Sequence, residues 1–251
     1  LILLLTSAVL AADTAGQIDL AGAPGSAAFG KVLVWLPNGN LVVSDPLFDD
    51  PSRPDTGIIY LYRGSDGALL DQLRGAFAGD QAGSHGILVL PDGNYLVVSP
   101  QADTALAVDA GAVTFCTGDT GCSGDVISAA NSLTGSSDGD GIGQLAMVLA
   151  NGHYVAGSHL WDNDGDTDAG AIIWCSGLAG CTGALTAATG LHGGPGDRAG
   201  SSGVTPLANG SYLVRSPLID TVAFGNVGAV TWCSGTALCS GRIDTGNSRM
   251  G

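Results

Sequence analysis

The sequence predicts an all-β repeat protein, a β-propeller of four-stranded antiparallel blades, on three observations. The first is composition. The 251 residues include 41 Gly and 23 acids, every one of them Asp, with no Glu and a single Lys, Lys31. Helices draw on Glu, Lys and Leu, which lose little side-chain freedom there. Gly, Asp, Asn, Ser and Thr instead favour turns. The second is a turn landmark: Asn38-Gly39 recurs as Asp92-Gly93, Asn151-Gly152 and Asn209-Gly210, with glycines 54, 59 and 58 residues apart. The third is an independent landmark with those same separations: Gly57-Ile58-Ile59, Gly111-Ala112-Val113, Gly170-Ala171-Ile172 and Gly228-Ala229-Val230. Two landmarks in one register mean four copies of one unit.

Taken in chain order, residues 1–12 read LILLLTSAVLAA and then meet Asp13, the pattern of an apolar signal-peptide core with small residues at its cleavage site. Residues 13–251 form the repeat domain, with blades at 30–74, 83–135, 143–191 and 200–251. Gln17 to Ala21 are read as an extra strand that helps close the ring. In the second copy, Ile87–Leu90 is strand 1, Asp92-Gly93 the centre of a type I′ hairpin, and Tyr95–Ser99 strand 2. A loop from Gln101 to Asp109 leads to strand 3 at Ala112–Cys116, and Val126–Ala129 reads as strand 4. A polar loop, Thr134–Ile142, joins the next copy. Four strands at this period are the signature of a propeller blade, in a four-bladed ring or part of a larger one. Pro206 falls in strand 1 of the fourth copy, where a free edge tolerates a missing donor.

The pattern resembles the FG-GAP repeats of integrin α-subunit propellers and related bacterial secreted proteins. The likeness rests on Phe29-Gly30 before strand 1, on Ser44-Asp45-Pro46, Ser99-Pro100 and Ser216-Pro217 after strand 2, and on Gly-Ala-Val opening strand 3. It spans residues 17–251. The other copies have Ala82-Gly83, Ile142-Gly143 and Ala199-Gly200 in place of Phe-Gly, and the third has Gly157-Ser158-His159 after strand 2. The resemblance implies a propeller and a calcium loop between strands 1 and 2. That place holds only a short turn here, so the family's calcium site does not carry over.

The six cysteines fall as Cys116/Cys122, Cys175/Cys181 and Cys233/Cys239, five and eleven residues after the glycine that opens strand 3. The first copy has Tyr62 and Ala68 there, so both members are missing together. Joint presence or absence predicts local disulfides stapling the strand 3–4 hairpin, in an oxidising compartment. Zinc is the competing reading, and no His stands at a fixed offset to support it.

The acidic segment Asp162, Asp164, Asp166 and Asp168, between strands 2 and 3 of the third copy, offers oxygen ligands in the pattern a Ca²⁺ site uses. Trp161 and His159 beside it, with Asp138 and Asp140 in the preceding inter-blade loop, are read as an exposed ligand face. Tyr60, Phe115, Trp174 and Trp232 recur near strand 3 and are assigned to packing between blades. A net charge of −15 argues against nucleic acid. No apolar run is long enough to cross a membrane as a helix. No Ser-His-Asp set recurs, and no Glu is present to act as a glycosidase acid. The reading is an exported, extracellular or cell-surface binding module. Its acidic loop face would take a protein or glycan, assisted by calcium. A structural spacer is the alternative and a carbohydrate-active enzyme the third.

Overall fold

A computed structural model describes residues 17–251; the signal-peptide segment lies outside them. The described chain is all-β. Unit 1 contains β1 (Leu33–Trp35), β2 (Leu41–Asp45), β3 (Ile58–Tyr62) and β4 (Leu69–Arg74). Unit 2 contains β5 (Ile87–Val89), β6 (Tyr95–Ser99), β7 (Ala112–Thr117), β8 (Gly121–Cys122) and β9 (Ser132–Thr134). Unit 3 contains β10 (Leu145–Val148), β11 (Tyr154–Ser158), β12 (Ala171–Cys175), β13 (Gly183–Ala184) and β14 (Leu191–His192). Unit 4 contains β15 (Val204–Pro206), β16 (Tyr212–Ser216), β17 (Ala229–Cys233), β18 (Gly241–Arg242) and β19 (Arg249–Met250).

Each unit builds an antiparallel sheet whose first strand lies at an edge: β1-β2-β3-β4, β5-β6-β7-β9, β10-β11-β12-β14 and β15-β16-β17-β19. The central strands of units 1 to 3 are buried on both faces, which is why Leu41–Val43, Tyr95–Val98 and Tyr154–Ala156 are unbroken apolar runs. Pro206 sits in the edge strand β15, where its missing N–H breaks no ladder.

Two local expectations are corrected. The Asn-Gly and Asp-Gly turns are not type I′. Leu36 N–H donates to Asn40 C=O, Gly39 N–H donates to Leu36 C=O, and only the glycine has positive φ (87°). This is a three-residue loop with Pro37 and Asn38 at the turn and Gly39 in the left-handed position. Residues 17–21 form no strand. Leu20, Ala23 and Phe29 instead pack on Leu41, Val43 and Tyr60 of unit 1, Phe29 edge-on to Tyr60 at 5.6 Å. The first-copy Phe29-Gly30 pair is also out of frame with Ala82-Gly83. The N–H of Ala28, not Gly30, takes the place of Gly83 N–H, bonding Asp45 as Gly83 bonds Ser99.

The largest correction concerns strand 4. Val126–Ala129 does not close the sheet of unit 2; β9 does. The chain leaving Cys122 first crosses to unit 1, where Val126 pairs in parallel with Arg74 at the outer edge of that sheet. The same crossover places β13 beside β9 and β18 beside β14, again in parallel. Units 2, 3 and 4 each add an outermost segment to the sheet before them. The disulfides Cys116–Cys122, Cys175–Cys181 and Cys233–Cys239 close the loops from which these crossovers start, rather than stapling strand 3 to strand 4. Cys122 N–H donates to Asp71 Oδ2 of unit 1 at 2.7 Å, pinning the first loop to its neighbour. Among the described residues, unit 1 has no cysteines and no crossover, and its β4 runs back along β3.

The units meet through mixed cores. Ile59 and Leu61 of unit 1 pack with Ile87, Tyr95 and Val97 of unit 2. Val113 and Phe115 meet Tyr154, and Ile172 and Trp174 meet Tyr212. Of the four aromatics expected at these joints, Phe115 and Trp174 are there; Tyr60 is on the opposite face, toward Phe29, with Leu61 in its place, and Trp232 is not packed at a joint but 57% exposed. Gly111 has φ 75°, and a Cβ there would strike the Ile142 backbone of unit 3. That close approach explains why glycine opens strand 3.

Candidate functional site

The four loops between the second and third strands of the units are built on one frame. Each spans seven residues: 49–55, 103–109, 162–168 and 220–226. The Oδ1 of the opening Asp accepts the N–H of the closing residue, at 2.9 Å in Asp49–Asp55, 2.7 Å in Asp103–Asp109, 2.8 Å in Asp162–Asp168 and 2.6 Å in Asp220–Asn226. The closing residue has φ of 51°, 50°, 52° and 52° in turn. Asp and Asn tolerate that left-handed conformation best among non-glycine residues, which is why they occupy it.

A second, buried Asp anchors three of these loops to the segment that joins the units. Asp80 Oδ2 accepts from Ala76 and Phe77 N–H at 2.6 and 2.9 Å, and its Oδ1 from Asp103 N–H at 2.9 Å. Asp140 does the same with Ser136, Ser137 and Asp162, and Asp197 with Gly194 and Asp220. Burial pushes the Asp80 and Asp140 carboxyls above the usual carboxylate range, and the backbone donors pull them only part of the way back.

The frame is constant and the five interior residues are not. They read DPSRP, TALAV, NDGDT and TVAFG. In unit 1, Asp50 pairs with Arg53 at 3.0 Å. In unit 2, Leu106 and Val108 point to solvent, Leu106 at 93% exposure. Unit 3 presents Asp164 and Asp166, and unit 4 presents Val222 and Phe224, both exposed.

Beside these loops lie clefts between units. The cleft between units 1 and 2 holds about 500 Å³ and is apolar, lined by Phe77, Leu106, Val126, Ile127 and Ala184, with Asp103 at its side. Its counterpart between units 2 and 3 holds about 330 Å³ and is lined by Ser136, Ser137, Trp161, Asp164 and Leu185. A third cleft of about 500 Å³ takes its lining from His85, Gln101, Asp109, Gln144 and His159. Burial, with Arg198 nearby, holds the His159 imidazole below its usual pKa, against the pull of Asp168.

The residues picked from sequence divide accordingly. Trp161 is not an exposed contact. It is buried, its ring edge-on to His192 at 6.2 Å, because the residue before the framing Asp162 points inward. Asp140 is likewise buried and structural. Asp138 is exposed, and its Oδ1 accepts from Val108 N–H at 2.8 Å. His159 is half-buried in the polar cleft. The four aspartates of unit 3 are not brought together: Asp162 caps its own loop, Asp168 pairs with Arg198 at 2.6 Å, and Asp164 lies at an exposed turn. Among the described residues no three His, Cys or Asp side chains gather to hold a metal ion. The apolar cleft went unseen in the sequence. Its signal was TALAV, an apolar interior between two framing aspartates.

Three disulfides fit an oxidising compartment. Among the described residues no helix is long and apolar enough to cross a membrane. No curated protein matches the chain. A family of repeats of unknown function, DUF5650, matches residues 89–144, 148–201 and 206–251, in step with the units of the fold. With more than half its length so matched, the chain belongs to the DUF5650 repeat family.

Proposed function

We propose that the chain is an exported, extracellular or cell-surface binding module whose contacts lie on the face formed by its 2–3 loops and inter-unit clefts. The single observation that carries this is the loop set itself: one backbone frame, four times, with unlike interiors. A rigid scaffold holding variable loops is where recognition resides. The apolar side chains on two of these loops favour contact over mere solubility, since exposed apolar groups in a cluster mark interaction sites. The partner that fits is a protein or glycan surface with apolar groups beside positive charge, set against an acidic rim.

The arrangement that supports one common face is propeller-like. The edge strands β5, β10 and β15 neighbour one another, and the sheets pack face to face. The 2–3 and inter-unit loops then share a side, as in a propeller. The carboxyls that burial raises, Asp80 and Asp140, are covered by backbone donors, which favours binding over acid catalysis. A spacer role is favoured by one observation, the jointed stacking of the units.

Glycan and peptide arrays probed with the purified chain test the reading. Binding should be lost on Leu106→Asp in the apolar cleft or on Phe224→Asp in the fourth loop, with the fold retained. A partner whose binding survives both changes, and substitutions in the other two loops, would sink it. A hydrolase screen on the same glycans separates binding from catalysis.

A further inference from the structure

We propose that the apolar cleft between units 1 and 2 binds an amphiphilic cation, a small apolar group carrying one ammonium. This rests on the reading of the loop face as the binding side and names the ligand class of one site on it. The parts around the cleft recur at all three joints, so the copies can be compared position by position. Val126, Ala184 and Arg242 are equivalent, each on a crossover beside Arg74, Thr134 and His192 of the preceding unit. Leu106, Gly165 and Ala223 each stand fourth in a framed loop. Phe77, Ser137 and Gly194 each donate their N–H to the buried Asp three residues on. The first joint alone combines three large apolar side chains, and Phe77, Leu106 and Val126 are 40%, 93% and 37% exposed. The scaffold does not require them, because the frame, the Asp anchor and the crossover all form around Ser137, Gly165 and Ala184. Exposed apolar groups clustered without a structural need mark an interaction site.

Size and polarity set the ligand class. The cleft's volume of about 500 Å³ falls within the roughly 300–1,000 Å³ of small-molecule sites. Two of the lining hydroxyls are already engaged. Thr104 Oγ1 accepts the N–H groups of Leu106 and Ala107 at 3.3 and 3.0 Å, and Ser128 Oγ donates to Asn131 Oδ1 at 3.3 Å. That leaves few partners for the many hydroxyls of a sugar. The charged residue of the lining is Asp103. Its Oδ1 accepts the Asp109 N–H, while its Oδ2 accepts no hydrogen bond and meets no cation among the described residues. Arg53 reaches the Ala76 C=O at 2.6 Å, but Asp50 pairs with it at 3.0 Å.

The third joint shows what this place accepts. Arg242, in the position of Val126, lays its guanidinium against Gly194, where an added Cβ would strike it. There the chain itself supplies a cation. At the first joint the same position is apolar, and the carboxylate of Asp103 is left for a cation from outside.

Isothermal titration calorimetry of the purified chain with phenylbutylamine, phenylbutanol and phenylbutyrate tests this. The amine should bind, the alcohol about fivefold more weakly, as an ion pair at a half-buried carboxylate allows, and the carboxylate not at all. Phe77→Ser, which copies the second joint and removes no charge, should abolish amine binding. So should Val126→Arg, which copies the third. Asp103→Asn, which keeps an oxygen for the Asp109 N–H, should bring the amine down to the level of the alcohol. Far-UV circular dichroism and intact disulfides confirm that each variant is folded. Amine binding that survives both Phe77→Ser and Val126→Arg would be diffuse attraction to a chain of net charge −15, and overturns the proposal. So does an alcohol that binds as tightly as the amine, which would mean an uncharged occupant, or a failure of all three to bind. The wider reading is judged apart from this: array binding lost on Phe224→Asp upholds the loop face even where the amine fails, and amine binding beside blank arrays upholds the cleft alone.

Discussion

At the scale of single residues, the buried aspartates do the joining. Asp140, like Asp80, receives three backbone N–H groups, two from the segment that leaves unit 2 and one from the loop of unit 3. Removing it strands those donors, and a stranded buried donor costs more than its hydrogen bond contributed. Asp140→Ala should therefore lose about 2–4 kcal/mol in urea unfolding, with Asp140→Asn intermediate because one oxygen remains. Asp138→Ala, on the exposed side of the same loop, should stay within about 0.5 kcal/mol of wild type. Equal losses at the two positions would refute the division of roles. His159 adds a pH term. Burial holds its folded pKa below the ordinary histidine value of about 6.5, so it is neutral in both states at higher pH. As pH falls through 6.5 the unfolded chain takes the proton first, and stability is lost. Between about pH 7.5 and about pH 5, wild type should lose more melting temperature than His159→Gln; parallel slopes would refute it.

At the scale of elements, the disulfide loops and the framed loops make separate arguments. A bridge closing so short a loop contributes about 2 kcal/mol. The loop at Cys175–Cys181 also launches the crossover that lays β13 on β9 of unit 2. The double change Cys175→Ser/Cys181→Ser should cost about that much. It should also speed hydrogen exchange in β9, a strand of the preceding unit, which a bridge serving only its own hairpin would leave unchanged. The unit 3 loop meets its own hydrogen-bonding needs: Asp162 is capped onto Asp168, and Asp168 onto Arg198. Millimolar calcium should accordingly leave the melting temperature unchanged, and a rise abolished by Asp162→Ala would show otherwise. These elements also mark how far the sequence could be read. The period, the inner strands and the cysteine pairs were legible, because apolar runs and paired absences report on local geometry. Val126–Ala129 misled because a short apolar run carries no record of which sheet it joins. Trp161 misled because its neighbours are acidic and exposed while its own position in the frame points inward. The variable interiors were visible as letters, but their common frame rests on hydrogen bonds and a left-handed residue that spacing alone does not display.

At the scale of the whole molecule, stability is a chain of joints rather than one core. Each joint buries the strand-3 side chains of one unit against the next, and in such arrays stability approximates unit terms plus nearest-neighbour terms. Among the described residues, Leu20, Ala23 and Phe29 cover β2 and β3 of unit 1, units 2 and 3 have neighbours on both sides, and unit 4 packs against unit 3. Native-state hydrogen exchange should then be graded, with β6, β7, β11 and β12 slowest and β16 and β17 faster. Ile172 is buried at the joint of units 3 and 4. Ile172→Ala should lose about 2–4 kcal/mol, concentrated in unit 4: β16 and β17 should lose protection while β2 and β3 keep theirs. The same truncation at Val113, in the joint between units 2 and 3, should split the molecule into two pairs and loosen both sides of the break. If Ile172→Ala instead lowers protection evenly from β2 to β17, the four units form one cooperative body, and the stacking of separable joints is refuted.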